Sequence, residues 1–415
     1  MDFNEMITAY LSCRKHKRGT PEAIAFEINW EENLLQLYHD ILDRSYTISP
    51  STAFIVHTPV QREVFAATFR DRIVHHWLVS RLTPFLEEYF IPDTYSCRPG
   101  KGTLFGVNRV RQFIRECSKN YTQDCWVLKC DLRAFFMSIE RNRLAEKLRL
   151  FIEEYYTDED KDLVLWLTRM IVLHDPVYKC RLCCKPQEWC GLPKDKSLFA
   201  INGVLMPCEH KRWSRRPAAK QPVSLFAMGM PIGNLTSQWF ANFYLTPLDK
   251  FITYDLGVRY YGRYVDDFIL VHQDKEYLKR TIPLMEKFLK EELGLSLHPN
   301  KRVLQHYSKG LKFLGTVMHF DAKLAGKRLK TGMYKMIRRW NTLALERPLT
   351  RADLLNLRAS TNSYLGLLRQ MNTYRLRKHA IQTFNDEIYR YVRFEKFDKM
   401  VIKNLKKSRQ ESAEI

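Results

Sequence analysis

The sequence predicts a protein of the α+β class, and two observations carry that prediction. The 415 residues are 45% hydrophobic and 13% aromatic, so the chain can bury a core large enough for two or three packed subdomains. Short β-rich runs, as in residues 125–130 and 258–270, alternate with stretches of helical periodicity, as in residues 235–251 and 276–293. Strands and helices therefore share the fold.

The N-terminal quarter contains helices first and strands second. Residues 1–50 carry helix-like patterns and form a predicted helical extension. A strand is predicted at residues 53–57, and a second extended segment at 62–65 passes into a helical pattern. The loop at residues 95–103 holds two glycines and two cations, so it can approach phosphates closely.

Two β-rich runs carry carboxylates where the strands end. The apolar run 125–130 ends on Asp131, as a buried strand ends on a functional carboxylate. Residues 258–270 are interpreted as two strands joined at Gly262-Arg263, with Tyr264-Val265-Asp266-Asp267 at the tip of the turn. Both sites therefore present acidic side chains beside predicted buried strands.

Residues 174–226 interrupt this pattern with cysteine, proline and basic residues, and they are predicted to form an insertion on the surface. A high density of thiols makes zinc a candidate ligand there. The candidate zinc residues are Cys180, Cys183, Cys184 and Cys190. Only one CxxC is present and the spacing is irregular, so a set of free thiols is the alternative.

The C-terminal third is predicted to be a hairpin at residues 311–318 followed by helices rich in arginine and lysine at 331–392. The whole chain has 67 Lys+Arg against 46 Asp+Glu, a formal net charge of +21, which favours a polyanionic partner. Soluble basic proteins share such a charge, so motifs must decide the function. The sequence has no run long enough to span a membrane and no signal-peptide pattern, and we expect a cytoplasmic protein.

Asp131 and the Asp266-Asp267 pair form a candidate catalytic site for nucleotidyl transfer. Two Mg²⁺ ions about 4 Å apart can activate a primer 3′-OH and stabilise a triphosphate, and Mg²⁺ prefers carboxylate oxygens. If the two strands lie side by side, all three carboxylates share one pocket. Alone, an Asp-Asp pair in a turn is more often a solvated turn.

The segment Tyr264–Asp267 resembles the YxDD signature of reverse transcriptases, and Asp131–Phe136 resembles the first metal-binding motif of that family. The resemblance runs from about residue 50 to 320. It implies a right-hand polymerase with fingers, an antiparallel-sheet palm and a helical thumb, which copies RNA into DNA. It also implies that Asp131, Asp266 and Asp267 hold two Mg²⁺ ions.

The same resemblance assigns roles to further residues. Phe136 falls where the family has a steric gate against ribonucleotides, and Lys301 resembles the lysine proposed to protonate the leaving pyrophosphate. Arg62, Arg70 and Arg72 lie in the segment that matches the fingers, where cations hold the triphosphate of the dNTP; for Arg70 and Arg72 the alternative is a solvated surface position. Residues 313–315 resemble the primer-gripping hairpin.

The segment Met230–Gln238 matches the template- and dNTP-binding motif, including Gly233 and Ser237, but Ile232 replaces the usual glutamine and Gln238 the usual proline. This variant resembles the reverse transcriptases of diversity-generating retroelements, which copy a template RNA with errors at adenines. Isoleucine offers no polar contact near the nascent base pair, so discrimination against mispairs should fall by ~1 to 3 kcal/mol.

The resemblance implies four parts: an N-terminal extension at residues 1–50, fingers at 51–125, a palm at 126–325 that includes the insertion, and a thumb and tail at 326–415. The expected partners are template RNA, a cDNA primer, dNTPs and a small basic accessory protein. A retron-like or phage-defence reverse transcriptase is an alternative, as is a noncatalytic RNA-binding relative.

Overall fold

The computed structural model describes residues 1–15, 17–58, 60–209 and 228–403. The chain forms two compact units. The first joins the segments Met1–Gly102, Leu128–Leu270 and Lys275–Val303, and the second joins Thr103–Val127, Val271–Asp274 and the chain from Leu304 onwards. The four-part division expected from the sequence stays a prediction.

Helices dominate the structure, and strands lie between them, so the predicted α+β class is confirmed. The α-helices are α1 Phe3–Arg14, α2 Pro21–Glu27, α3 Trp30–Leu42, α4 Phe69–Tyr89, α5 Thr103–Cys117, α6 Phe135–Ser138, α7 Arg141–Tyr155, α8 Lys161–Leu173, α9 Leu198–Ile201, α10 Leu235–Lys250, α11 Lys275–Phe288, α12 Lys327–Glu346, α13 Arg351–Arg369, α14 Tyr374–Gln382 and α15 Asp386–Tyr391. Single π-turns, Phe251–Asp255 and Leu289–Leu293, extend α10 and α11.

The strands are short. They are β1 Thr52–Val56, β2 Arg62–Ala66, β3 Trp126–Asp131, β4 Arg181–Leu182, β5 Tyr260–Tyr264, β6 Asp267–His272, β7 Val303–His306, β8 Leu311–Phe313, β9 Thr316–Met318, β10 Lys323–Ala325, β11 Val392–Glu395 and β12 Lys399–Ile402. Short 3₁₀ turns cover Pro186–Trp189, Lys194–Lys196, Pro207–Glu209 and Tyr307–Lys309.

The sheet that carries the predicted site contains β5, β6 and β3 as neighbours in that order. Its strands are apolar because both faces are covered: Phe268, Ile269 and Leu270 are fully buried. The predicted join at Gly262-Arg263 is wrong, since both residues lie inside β5. Gly262 belongs there because a Cβ at this position would clash with the ring of Tyr95.

A second sheet of the first unit pairs β1 with β2 antiparallel and with β4 parallel. Part of the predicted surface insertion belongs to this core, so the surface prediction is wrong for that part, whereas other described residues of the segment are exposed. Trp189, Leu198 and Phe199 are fully buried against the two long strands. The Glu63 carboxylate of β2 binds this segment as well, accepting hydrogen bonds from the Trp189 indole at 2.8 Å and the Ser197 hydroxyl at 2.9 Å. Residues 210–226 lie outside the described residues.

In the second unit, β8, β9 and β10 form an antiparallel sheet and helices α12 to α15 share a core. The predicted hairpin at residues 311–318 is confirmed, with Leu314 and Gly315 at its turn in left-handed conformations (φ 47° and 80°). Among the described helices, none combines the length and apolarity that crossing a bilayer requires.

Candidate active site

Strand β3 positions Asp131 at its carboxyl end. Val127, Leu128 and Cys130 are fully buried and fix the strand in the sheet, while the Asp131 side chain remains partly accessible. Lys129 lies two residues earlier, so its side chain leaves the same face of the strand as Asp131. Sequence reasoning missed Lys129, although this alternation was a signal for it.

The turn between β5 and β6 brings the second carboxylate pair to the same place. Val265 adopts a left-handed conformation (φ 55°), which costs a β-branched residue about 1 to 3 kcal/mol. The Leu132 amide donates a hydrogen bond of 3.3 Å to the Asp266 carbonyl oxygen. The end of β3 and the turn that carries Asp266 and Asp267 are therefore in direct contact, and the joint metal-binding role of Asp131, Asp266 and Asp267 stays a prediction.

Burial and mutual repulsion raise the pKa values of Asp266 and Asp267 in this site. Burial raises the pKa of Asp266 to about 6, and repulsion from Asp131 and Asp267 adds to that rise. Burial also raises the pKa of Asp267, against the attraction of the nearby Lys129 ammonium group. The site therefore favours an additional positive charge.

Two lysines supply positive charge in this structure. The Lys301 ammonium group lies 2.9 Å from Asp131 Oδ1, and the Lys129 ammonium group lies 3.1 Å from Asp267 Oδ1. Backbone hydrogen bonds hold the segment before Lys301 against β3, because the His298 amide donates to the Asp131 carbonyl oxygen at 2.8 Å. The structure thus brings Lys301 to Asp131, and protonation of the leaving pyrophosphate by Lys301 stays a prediction.

The donor set fits a divalent cation in chemistry. Carboxylate oxygens are the ligands that Mg²⁺ prefers, and a cation would relieve the repulsion that raises the pKa of Asp266. In the part of the chain that the structure describes, no three His, Cys, Asp or Glu side chains already converge as the ligands of one ion.

A buried ion pair supports the turn, and sequence reasoning missed it. Arg263 and Asp249 are both fully buried, with 2.6 Å between Arg263 Nη2 and Asp249 Oδ2. Arg263 Nη1 also donates to the Val265 carbonyl oxygen at 2.9 Å, and the Tyr261 hydroxyl donates to Asp249 Oδ1 at 2.6 Å. The pair thus fixes the residue that precedes Asp266.

The predicted template- and dNTP-binding segment, Met230–Gln238, is hydrogen-bonded to the residues that follow β3. Phe136 is half-buried, and its carbonyl oxygen accepts a hydrogen bond of 2.7 Å from the Met230 amide. The Ile232 carbonyl oxygen accepts one of 2.9 Å from the Phe65 amide of β2. The predicted gate residue and the predicted template-binding segment therefore lie close in the fold.

Close packing accounts for the glycine in this segment. Gly233 has a φ of 126°, and a Cβ there would lie 2.8 Å from Val64 Cγ1. Ser237 is buried on α10, whereas Gln238 is exposed and its Oε1 accepts a hydrogen bond of 3.0 Å from Cys97 Sγ. The first part of the motif thus packs against β2, and its last residues form the start of α10.

The three predicted dNTP-binding arginines have different surroundings. Arg62 is exposed at the start of β2, and Arg72 is half-buried on α4. Arg70 has structural partners: its guanidinium donates to Asp40 Oδ2 at 2.6 Å and stacks on the Tyr46 ring at 4.8 Å. These contacts give Arg70 a structural role, and triphosphate binding by Arg62 and Arg70 stays a prediction.

The four candidate zinc ligands are free cysteines. Cys180 is buried, Cys184 is half-buried, and Cys183 and Cys190 are exposed. Within residues 60–209, these cysteines do not form a group of three or more His, Cys, Asp or Glu side chains that could hold a metal ion. Cys190 instead lies next to Cys208. The zinc site stays a prediction without support from the described geometry.

Comparison with known proteins identifies the family. The model of the family "Reverse transcriptase (RNA-dependent DNA polymerase)" matches residues 61–318, more than half of the chain. The chain belongs to the reverse transcriptase family. It is an RNA-directed DNA polymerase, a nucleotidyltransferase, and enzymes of this family generally use divalent metal ions such as Mg²⁺.

Several solved structures are similar to the chain. Apo telomerase from Candida tropicalis is 12% identical, with a TM-score of 0.46 over 88% of this chain and 68% of that chain. Telomerase from Candida albicans with a TWJ fragment of telomeric RNA is 12% identical, with a TM-score of 0.43 over 86% and 64%. The corresponding Candida tropicalis complex is 12% identical, with a TM-score of 0.45 over 84% and 57%. No curated protein matches the chain significantly.

Proposed function

We propose that this chain is the reverse transcriptase of a diversity-generating retroelement, which copies a template RNA into cDNA with frequent errors at template adenines. The observation that carries the proposal is the apolar Ile232, which lies in the motif segment hydrogen-bonded to β2 and linked through Met230 to Phe136. Cytoplasmic location, template RNA, a cDNA primer and a small basic accessory protein belong to the same proposal.

In the proposed mechanism, Asp131 and Asp266 are the main ligands of two Mg²⁺ ions and Asp267 is the weaker third. Bound there, the ions would lower the pKa of the primer 3′-OH and neutralise charge on the triphosphate. Asp131 and Asp266 are suited to this because a hydrogen bond joins the backbones of their two strand ends.

Lys301 has two positions in this mechanism. In the structure its ammonium group neutralises Asp131 at 2.9 Å. Because its side chain is 55% exposed, it can leave this partner when a cation binds and then donate a proton to the departing pyrophosphate. Phe136, on the same stretch of chain as Asp131, would exclude the ribose 2′-OH of a ribonucleotide.

Low fidelity follows from the chemistry of Ile232. Its side chain is half-buried against the apolar cluster that includes Phe65 and Phe199, so it offers dispersion contacts and no hydrogen bond. A polar side chain at this position would distinguish a correct base pair from a mispair by up to ~1 to 3 kcal/mol, or about 5- to 150-fold. Without it, mispairs extend more readily.

The test is primer extension on an RNA template that contains all four bases, followed by sequencing of the cDNA. Wild-type protein should misincorporate most often opposite adenine, and Ile232→Gln should lower that frequency several-fold. Ile232→Leu is the matched control, because it keeps an apolar side chain of equal size and should keep the error spectrum.

Three outcomes would contradict the proposal or one of its parts. Uniform, low error frequencies in the wild-type protein would remove the diversity-generating assignment, and an unchanged spectrum in Ile232→Gln would remove Ile232 from its explanation. DNA synthesis that survives Asp131→Ala and Asp266→Ala would overturn the catalytic assignment itself.

A further inference from the structure

A cavity of about 570 Å³ lies in the second unit, against helix α5. Its walls include Asn108, Arg111 and Arg115 of α5, Tyr121 of the following turn, and Phe320 beyond β9. Its volume is within the range of ~300 to 1,000 Å³ that is typical of ligand pockets. None of these residues belongs to the candidate active site.

The polar wall of the cavity is one face of a helix. Asn108, Arg111 and Arg115 recur at three- and four-residue intervals, whereas Val110 and Phe113 on the other side of α5 are buried. The burial of that apolar face fixes the rotation of α5. The two guanidinium groups are consequently presented to the same cavity.

The cations of this wall lack carboxylate partners within the described residues. Arg111 Nε is buried without any hydrogen-bond partner, and Arg115 Nε donates to a neutral group, Asn120 Oδ1, at 2.7 Å. Lys323 donates to Asn108 Oδ1 at 3.0 Å. The pKa of Lys323 is lowered by burial and by repulsion from Arg111, so the cations interact with one another. An anion would relieve this repulsion.

An aromatic surface adjoins the cations. The Phe320 side chain is 56% exposed, and its ring packs edge-on against Tyr121, with 5.9 Å between the ring centroids. The hydroxyl of Tyr307 donates to the Tyr121 carbonyl oxygen at 3.2 Å, which holds the turn. Exposed aromatic rings beside cations are how proteins bind single-stranded nucleic acid, by base stacking and phosphate contacts.

We propose that this cavity is a second RNA-binding site, which takes one unpaired nucleotide of an RNA strand with its base on Phe320 and its phosphate on Arg111 and Arg115. Asn108 and Asn120 supply amide groups that can hydrogen-bond a base edge. The combination favours RNA over an acidic peptide, because carboxylates would use the cations and leave the ring exposed. The inference rests on the proposed function for its RNA partner and assigns that partner a contact outside the catalytic site.

The test uses the full chain and a fluorescent oligouridine RNA, with affinity measured by anisotropy over a range of salt concentrations. Arg111→Gln/Arg115→Gln should weaken binding at least ~10-fold. It should also lower the slope of log affinity against log salt by ~0.7, the value for one lost phosphate contact on a single strand. Phe320→Ala should weaken binding about 5- to 150-fold and leave the slope unchanged.

The matched control is Arg149→Gln/Arg390→Gln, which removes the same charge from arginines that pair with glutamates on exposed helix surfaces. It should change affinity less than 3-fold. Arg111→Lys/Arg115→Lys keeps the charge and should keep the salt slope, and thermal melting of each variant checks folding. RNA containing 4-thiouridine should crosslink, under light, to peptides that carry Tyr121 or Phe320.

Three outcomes would overturn the inference. These are equal losses in the cavity and control variants, crosslinks that avoid both aromatic residues, and competition by poly-glutamate as strong as competition by unlabelled RNA. Failure of the proposed function is separately visible. In that case primer extension would be absent or accurate in the wild-type protein, while the cavity variants would still lose RNA affinity.

Discussion

The buried pair Asp249–Arg263 gives the sharpest test of how the fold positions the active site. Asp249→Asn keeps the shape of the side chain and removes its charge, which leaves the Arg263 guanidinium fully buried without a counter-ion. Breaking a buried pair in this way costs about 3 to 5 kcal/mol. The Asp249 carboxylate also accepts from the Tyr261 hydroxyl, so that contact weakens too.

The expected consequence is twofold. Urea unfolding of Asp249→Asn should show a loss of about 3 to 5 kcal/mol, whereas Glu153→Gln, which breaks an exposed pair with Arg149, should lose less than ~1 kcal/mol. Primer extension at a temperature where Asp249→Asn is folded should fall ~100-fold, because a shift of about 1 Å in the turn at Val265 is enough for that loss.

A second variant separates stability from positioning. Asp249→Leu/Arg263→Met replaces the ion pair with apolar side chains, which restores much of the lost stability. It cannot restore the hydrogen bond from Arg263 to the Val265 carbonyl oxygen, so activity should stay low. Full activity in this variant, or equal unfolding losses in Asp249→Asn and Glu153→Gln, would refute the reasoning.

Three further predictions follow from particular side chains. Gly233→Ala should destabilise the protein by more than ~1 kcal/mol and lower primer extension, because the φ of Gly233 is 126° and Val64 leaves no room for a Cβ. The control is Gly366→Ala, on an open helix face, which should stabilise the protein by ~0.5 to 1 kcal/mol. Burial lowers the pKa of His75 to about 4, so the unfolding free energy should fall by up to ~3 kcal/mol as pH drops from about 6.5 to 4, and His75→Gln should flatten this dependence. Phe136→Val should raise incorporation of ribonucleotides relative to dNTPs at least ~10-fold.

Each of these has a direct measurement and a contrary result. Equal unfolding curves for the two glycine variants would contradict the packing argument. For His75 the measurement is urea unfolding at a series of pH values, and equal pH profiles of the wild-type protein and His75→Gln would show that this histidine does not control the dependence. For Phe136 the measurement is competition between paired nucleotides in primer extension, and an unchanged ratio would remove the steric gate.

The carboxylates could be predicted from the sequence because their signals are local. The apolar strand that ends on Asp131 covers Trp126–Asp131, and the hairpin with Asp266 and Asp267 at its turn covers residues 260–272, so each signal lies within one short segment. The order of such motifs along the chain then sufficed to predict the family. The helices beginning at Leu235 and Lys275 were predictable for the same reason, since periodicity is a property of one segment.

The supports of the site were not predictable in this way. Asp249 and Arg263 are separated by 14 residues and belong to different elements. The local pattern of either segment does not predict that the two side chains pair. Only the presence of an acidic residue in the apolar pattern of α10 hinted at a buried partner. The turn was misplaced for a related reason: glycine usually marks a turn, but Gly262 lies within a strand to accommodate Tyr95.

The binding of Glu63 to the cysteine-rich segment constrains how this enzyme can be recombined with its relatives. The carboxylate is fully buried and depends on the Trp189 indole, the Ser197 hydroxyl and the Leu198 amide. A chimera whose replacement for residues 181–209 lacked these donors would leave this carboxylate unsatisfied in the interior, one residue from Val64, which lies against Gly233. Strand β2 and that segment must therefore be transplanted together, as a single module.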